Sequence, residues 1–452
     1  MDVAIIGTGY VGLTTGVCLA LLGHEVRCHD VDPGRMDKLA RGRPPIYEPG
    51  MEQAMRAAAR KRSLHFVSEL ADAVRGAKAV FLSVGTPSLP DGDIDLSYLE
   101  AAARQIAPLL APFTTVVVKS TVTVGSCRRL EQIIRDVRGA GDFAVAANPE
   151  FLREGSAIDD FMHPDRIIIG SDDERATTTL KELYGPLVAR TDAPVLVTSA
   201  ENAEMVKHAA NAFLAMKIGF INEVADLCER AGADVTTVAK GIGLDQRIGP
   251  AFLQAGPGFG GSCFPKDARA FAATGRRNGV PQSLVETLIE GNDRRKTALA
   301  RRIAFKANLR KGAVVAVLGV AFKAATDDVR ESPALAFIPA LQDQGFVVRA
   351  FDPQAMPTAA KELPDVNWCS DAYEAATGAD AVVILTDWKN FTELDLGRLS
   401  ERMKGSTLFD FRNILQPEAV AACGMTYFGV GRAGLPGDKR QYVEKRAVAA
   451  AN

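Results

Sequence analysis

The chain has 452 residues, a length that suits two or three domains of ordinary size. Hydrophobic residues make up 47% and charged residues 24%, enough to build packed cores and to exclude a disordered chain. Lys+Arg 53 against Asp+Glu 55 leaves a formal charge of −2, without the basic excess of a nucleic-acid binder.

The sequence opens on an apolar strand, MDVAIIG, with no basic flank or cleavage pattern of a secretion signal. No apolar run is long enough to span a membrane. Seven cysteines in irregular spacing form no disulfide framework, which points to a reducing, cytoplasmic setting. No cluster of Cys, His and acidic residues has metal-ligand spacing, so no metal is expected.

In chain order, strands are predicted at Val3–Ile6, Val26–His29, Ala79–Ser83, Thr115–Lys119 and Phe143–Ala146. Helical stretches at Val11–Leu22, Met51–Lys61 and Tyr98–Leu109 lie between them, the rhythm of a parallel sheet covered on both faces. Ile167–Gly170 and Pro194–Val197 add further strand candidates. One long helix is predicted over 201–230, with apolar residues on several faces, as in helices buried between domains or subunits. The loop Gly249–Pro265 then separates it from a helical region reaching about Asn308. A second α/β alternation has strands at Val314–Leu318, Val347–Phe351, Ala381–Leu385 and Leu408–Asp410. The tail after Leu435, with Lys439, Arg440, Lys445 and Arg446, carries no motif and is expected to be mobile.

Gly7, Gly9 and Gly12 form GTGYVG between the first strand and the first helix, where a dinucleotide pyrophosphate meets a helix N-terminus. Asp30 ends the second strand and can accept hydrogen bonds from ribose hydroxyls, favouring NAD over NADP, with Arg35 nearby to soften that preference. The turns Ser83–Pro87 and Ser120–Val124 fall at strand ends, where a doubly wound sheet receives its ligand.

In GFGGSCFPKD, Cys263 is expected close to a helix N-terminus, which favours a thiolate nucleophile; the plainer reading is a small buried thiol. Asp267, four residues on, returns to the same face, and Lys266 adds positive charge. NPEFLREG offers Glu150 and Glu154, either as inward carboxylates or as an exposed acidic loop partnered by Arg153. Lys207 and Asn211 share a helix face in apolar surroundings and suit stabilisation of an oxyanion, unless Lys207 snorkels to solvent. Thr121 either holds a water or caps a strand, and His208 reads as structural.

GTGYVG, YEPG (Tyr47–Gly50), VGTP (Val84–Pro87), KST (Lys119–Thr121), NPEFLREGSAI, EMVKHAANAF, GFGGSCFPKD and VAFKAATDDVRES (Val320–Ser332) occur in that order. The set resembles the UDP-glucose/GDP-mannose dehydrogenase family, and its UDP-glucose branch in particular, over nearly the whole chain. That resemblance implies a Rossmann-like NAD-binding domain at 1–200 and a central helical domain at 201–310 with a dimerisation helix and a cysteine loop. It further implies a UDP-sugar-binding α/β domain at 311–440 and a tail at 441–452. The implied reaction is the four-electron oxidation of UDP-glucose to UDP-glucuronate through a thiohemiacetal and a thioester on Cys263.

By resemblance, Lys207 and Asn211 stabilise the oxyanion, and Asp267 and Thr121 place a water. Asp267 or Glu150 assists proton removal, with Lys207 a third candidate base. Gly7, Gly9, Tyr10, Val11, Gly12, Asp30, Arg35, Gly85, Thr86, Thr121, Glu154, Lys266 and Arg330 are assigned to NAD. Phe151, Leu152, Arg153, Glu154, Lys207, Asn211, Phe252, Gly260, Phe322, Lys323 and Arg412 are assigned to the substrate. Arg247 is expected to reach a neighbouring subunit's substrate site in a homodimer. His208, Ala324 and Phe411 depart from the family pattern without removing a catalytic group. GDP-mannose or another nucleotide sugar, a two-electron alcohol dehydrogenase and a non-catalytic NAD-binding scaffold are the competing readings.

Overall fold

The computed structural model describes residues 1–139 and 141–437; the basic tail with Lys439, Arg440, Lys445 and Arg446 lies outside the described residues. The chain folds into two compact units, residues 1–211 with 269–282, and residues 212–268 with the chain from 283 on. The stretch 201–310 is therefore shared between them.

The first unit is built on strands β1 (Asp2–Ile6), β2 (Glu25–His29), β3 (Leu64–Phe66), β4 (Ala79–Leu82), β5 (Thr114–Val118), β6 (Phe143–Ala147), β7 (Ile167–Gly170) and β8 (Val195–Thr198). They pair in the order β3-β2-β1-β4-β5-β6-β7-β8. All neighbours are parallel except β6 and β7. The central strands are apolar on both faces: Val3, Ile5 and Phe81 enter one core, and Ala4, Ile6, Val80 and Leu82 the other. That double burial is why these strands read as unbroken apolar runs.

The second unit holds β9 (Val314–Leu318), β10 (Val347–Phe351), β11 (Asn367–Trp368), β12 (Ala381–Ile384), β13 (Thr407–Asp410) and β14 (Thr426–Gly429). Their order, β11-β10-β9-β12-β13-β14, repeats that of the first six strands of the other sheet. In each, the order reverses beside the first strand, which opens the crevice where such sheets take ligands.

Three corrections to the sequence reading concern local structure. The strands β3, β11 and β14 were not expected; all three pair on one side only, and short edge strands need little apolar sequence. The helix after the glycine-rich loop begins at Phe264, ahead of the predicted loop end, with Pro265 in its first turn. The helical region to Asn308 is two helices, Phe264–Arg277 and Ser283–Lys306, separated at Gly279 (φ +70°) and Pro281. The long helix runs Ala200–Ala231, and on it Phe213, Phe220 and Leu227, spaced by seven, are 61%, 55% and 66% exposed.

Candidate active site

At the first βα turn, Gly7 adopts φ +95° and donates its N–H to His29 O at 2.8 Å. A Cβ on Gly12 would sit 1.9 Å from Gly7 O, so both positions need glycine for the turn to close. Gly9 caps the helix Tyr10–Leu21 without a side-chain hydrogen bond, leaving the first-turn N–H groups, Val11 among them, open to an anion. Among the described residues, and apart from Gly9's own chain neighbours, nothing stands closer than 4.0 Å to a Cβ there, which leaves the backbone open to close approach of an anion.

Asp30 is 8% exposed and accepts from Thr8 N (2.6 Å), Thr8 Oγ1 (3.0 Å) and Asp32 N (3.0 Å). Burial works against its charge. The hydrogen bonds from Asp32 and Thr8 and the guanidinium of Arg35, 3.5 Å away, outweigh it and hold the carboxyl below the usual range. An ionised acceptor at this point fits an NAD ribose. The turns after β4 and β5 are laced together: Thr86 Oγ1 donates to Thr121 O at 2.9 Å and Ser120 Oγ to Val84 O at 2.6 Å. Gly85, Thr86 and Thr121 thus lie together at one sheet end.

Glu150 and Lys207, singled out separately in the sequence, form one buried pair. The Lys207 ammonium donates to Glu150 Oε1 at 2.9 Å and to Glu150 O at 2.7 Å, with both side chains 4% exposed. Lys207 does not snorkel. Its ammonium lies 5.3 Å from the Phe151 ring, whose face also carries the Arg166 guanidinium. Glu150 Oε2 accepts from Leu152 N at 2.6 Å, which curls the loop around the carboxylate. Glu154 is also buried, although this stretch is not helical. Arg153 pairs with Asp160 instead of a loop glutamate. Asn211 lies one turn beyond Lys207 and is 5% exposed. His208 Nε2 bonds Val122 O at 2.7 Å, the structural role expected.

Glu48, within YEPG, is a buried residue beside the candidate site that the motif reading did not single out. Its carboxylate accepts from the Tyr10 hydroxyl, from Gly155 N (2.6 Å) and from Ala157 N (2.7 Å). It ties the start of the dinucleotide helix to the end of the Glu150–Glu154 loop. The signal was present in the motif, but a lone glutamate does not disclose its partner.

In the second unit, Cys263 directly precedes the helix Phe264–Arg277, its carbonyl accepting the first helical bond from Asp267 N at 2.8 Å. Its thiol is partly exposed, with Ser262 Oγ 3.6 Å away. Asp267 is fully buried and takes a 2.6 Å hydrogen bond from the Lys266 ammonium. By contrast, burial pushes the Cys18 and Cys28 thiols up to about 12, leaving them inert.

The glycine-rich loop is held rigidly. Asn292 Oδ1 accepts from Phe259 N and its Nδ2 donates to Phe259 O, at 2.8 and 3.0 Å. Asn222 and Arg295 bond the N–H and carbonyl of Gly256. Asn292 was missed because an asparagine inside a helix carries no signal of its target.

The loop runs against the segment after β9: Gly261 N donates to Arg330 O at 2.9 Å, and a Cβ on Gly260 would meet Glu331 O at 2.4 Å. Arg412 donates to Leu385 O and Phe322 O, both at 2.7 Å. Gly260, Phe322, Arg330 and Arg412 are therefore brought together, with Lys323 over the Phe322 ring. The Arg330 guanidinium itself is exposed and paired with Asp328. Phe252 packs on Phe264. The Arg247 side chain is 89% exposed and pairs with Asp245, two residues away.

Family models for the UDP-glucose/GDP-mannose dehydrogenase family match residues 1–188 (NAD binding domain), 201–294 (central domain) and 316–417 (UDP binding domain). The chain is 49% identical over 436 residues to the UDP-glucose 6-dehydrogenase of Rhizobium meliloti (strain 1021), covering 96% of this chain and 100% of that one. It is 43% identical to the UDP-glucose 6-dehydrogenase TuaD of Bacillus subtilis (strain 168), over 96% of this chain and 94% of the relative. A solved UDP-glucose dehydrogenase from the archaeon Pyrobaculum islandicum superposes with a TM-score of 0.87 at 39% identity, covering 95% and 98% of the two chains. With all three parts matched in order, the chain belongs to the UDP-glucose/GDP-mannose dehydrogenase family of NAD-dependent enzymes.

Proposed function

We propose that this chain oxidises UDP-glucose to UDP-glucuronate, with Cys263 as the nucleophile. The observation that carries the reading is a partly exposed thiol at a helix N-terminus, on a loop pinned beside Phe322, Arg330 and Arg412. The helix dipole favours the thiolate there. NAD, when bound, supplies the hydride acceptor for both oxidations of the sugar's C6.

The protein's residues divide the remaining work. Glu150, Lys207 or Asp267 takes the proton of the C6 hydroxyl as it becomes an aldehyde. Cys263 adds to that aldehyde and holds it as a thiohemiacetal, so the reactive carbonyl never escapes. Lys207 and Asn211 stabilise the negative oxygen, and oxidation of the thiohemiacetal leaves a thioester. Asp267 and Thr121 orient the water that hydrolyses it and returns the thiolate. Lys323 and Arg412 supply cationic groups suited to the UDP end. The exposed stripe of Phe213, Phe220 and Leu227, with the exposed Arg247, supports a homodimer built on the long helix. Seven free cysteines suit a cytoplasmic setting.

Cys263→Ser is expected to cut acid formation about a thousandfold or more while UDP-glucose and NAD still bind. The parent, tested on a panel of nucleotide sugars, should prefer UDP-glucose and give two NADH for each one consumed. Near-parent glucuronate formation by the serine variant, or a ratio of one, defeats the covalent route; preference for GDP-mannose moves the substrate within the family.

A further inference from the structure

Behind the Glu150–Lys207 pair stands a second buried lysine to which the proposed mechanism gives no task. Lys119 follows β5 directly and is 5% exposed. Its ammonium donates to Asn148 Oδ1 at 2.9 Å and to the Tyr184 hydroxyl at 3.3 Å. Tyr184 also donates to Asn148 Oδ1, at 2.5 Å, and Asn148 Nδ2 donates to Ile168 O at 2.8 Å. The asparagine amide is thus locked from β5, from β7 and from the helix Glu174–Thr191. Two residues further on is Glu150. The loop is clamped at Asn148 by Lys119 and Tyr184, and at Glu150 by Lys207.

The charges form a buried triad of two ammonium groups and one carboxylate. Among the described residues, the hydrogen-bond partners of Lys119 are neutral oxygens. Burial, opposed by Glu150 and reinforced by Lys207, lowers its ammonium to about 8. A buried cation without a direct counter-ion is costly, and a fold that needed only a clamp would be served by a neutral donor.

Resting on the function proposed above, we infer that Lys119 is a positioning residue for the reaction: it seats Glu150 through Asn148, and its charge governs how readily the Glu150–Lys207 pair accepts the proton of the sugar hydroxyl. The titratable groups facing Lys119 are Glu150, Lys207 and Tyr184. A positive neighbour lowers the proton affinity of carboxylate and amine alike, so the sign holds whichever of the two is the base.

The test compares Lys119→Met, Lys119→Gln and Tyr184→Phe with the parent, following kcat against pH at saturating UDP-glucose and NAD. In both Lys119 variants kcat is expected to fall about tenfold with KM within about threefold. The acid limb of kcat should move to higher pH by on the order of one unit. Tyr184→Phe keeps the charge, so its limb should stay in place while kcat falls less. A loss of kcat with an unmoved limb in a folded Lys119 variant, or a loss confined to KM, overturns the inference, because a purely structural lysine would give that result.

A second measurement needs neither variant nor turnover. In the parent chain with 13C-labelled lysine ε-carbons, the Lys207 resonance should show an inflection where Lys119 titrates, at about 8. A Lys207 signal that runs flat through that inflection also overturns it. Failure of the parent to form UDP-glucuronate, by contrast, defeats the functional reading and leaves this coupling to be judged by its own titration.

Discussion

The two α/β units begin with the same turn and use it differently. In the first, Gly7 at φ +95° donates to His29 O, and Asp30 at the end of the second strand grips Thr8. In the second, Gly319 is also at φ +95° and donates to Phe351 O at 2.8 Å, and Asp352 grips Val320 N and Ala321 N. The two diverge on the C-terminal side of the glycine. After Gly7 the helix starts at Tyr10, which leaves its N-terminus facing the glycines. After Gly319 a long segment carrying Phe322, Lys323 and Arg330 intervenes before the helix Pro333–Gln342.

Asp352 is fully buried and is also bonded to Gln354 N, Ala355 N and Trp388 Nε1, which leaves it no lone pair to offer a ribose. One aspartate is set to meet a ligand, the other to hold a fold. A shared topology therefore does not transfer a binding role. The residues beyond the glycine decide it.

The sharpest way to break this contrast is to remove each aspartate. Asp352→Ala takes the acceptor from five donors, four of them in buried bonds, and a loss of about 4 kcal/mol or more is expected in chemical denaturation. Asp30→Ala should cost far less stability but weaken NAD about ten- to a hundredfold by calorimetry. Equal destabilisation by the two would erase the distinction.

A smaller effect is expected from Arg412→Lys. Its guanidinium ties Leu385 O to Phe322 O, and an ammonium cannot span both. Affinity for UDP should drop about tenfold with NAD affinity unchanged, measured by titration of each nucleotide.

The smallest effect is in pH dependence, where the units should differ in sign. The depressed Asp30 carboxyl contributes stability that is present above the ordinary carboxylate range and lost as pH falls through its lowered value. Burial raises Asp410, at the end of β13, against hydrogen bonds from Leu415 and Arg412; its contribution is present in acid and lost as pH rises through the raised value. Melting of both Asp30→Asn and Asp410→Asn should therefore converge with the parent in acid; as pH rises, Asp30→Asn should fall below the parent and Asp410→Asn should gain on it.

Interior strands were legible where, as in β7 and β9, a short apolar run is bounded by turns, and the predicted and observed limits of these two coincide. Leu64–Phe66 was not, since His65 interrupts the run and an edge strand is fixed by its neighbour's register. Placement at the candidate site was legible where residue type restricts the options: Cys263 does precede a helix, and Lys207 is buried on its helix face. What escaped were the residues that hold others. Tyr184 meets Lys119 across 65 positions, and in its own helix it looks like any buried aromatic. Such partners are chosen by tertiary packing, which leaves no local trace.

The Glu48 carboxylate joins Tyr10, in the first turn of the dinucleotide helix, to Gly155 and Ala157 beyond the Glu150 loop. Ordering at either end therefore lowers the entropic cost of ordering the other. Because linkage is reciprocal, whatever steadies the start of that helix steadies the end of the loop by the same free energy that the loop returns to it. A single buried acid thus makes two stretches of chain, far apart in sequence, share one state of order.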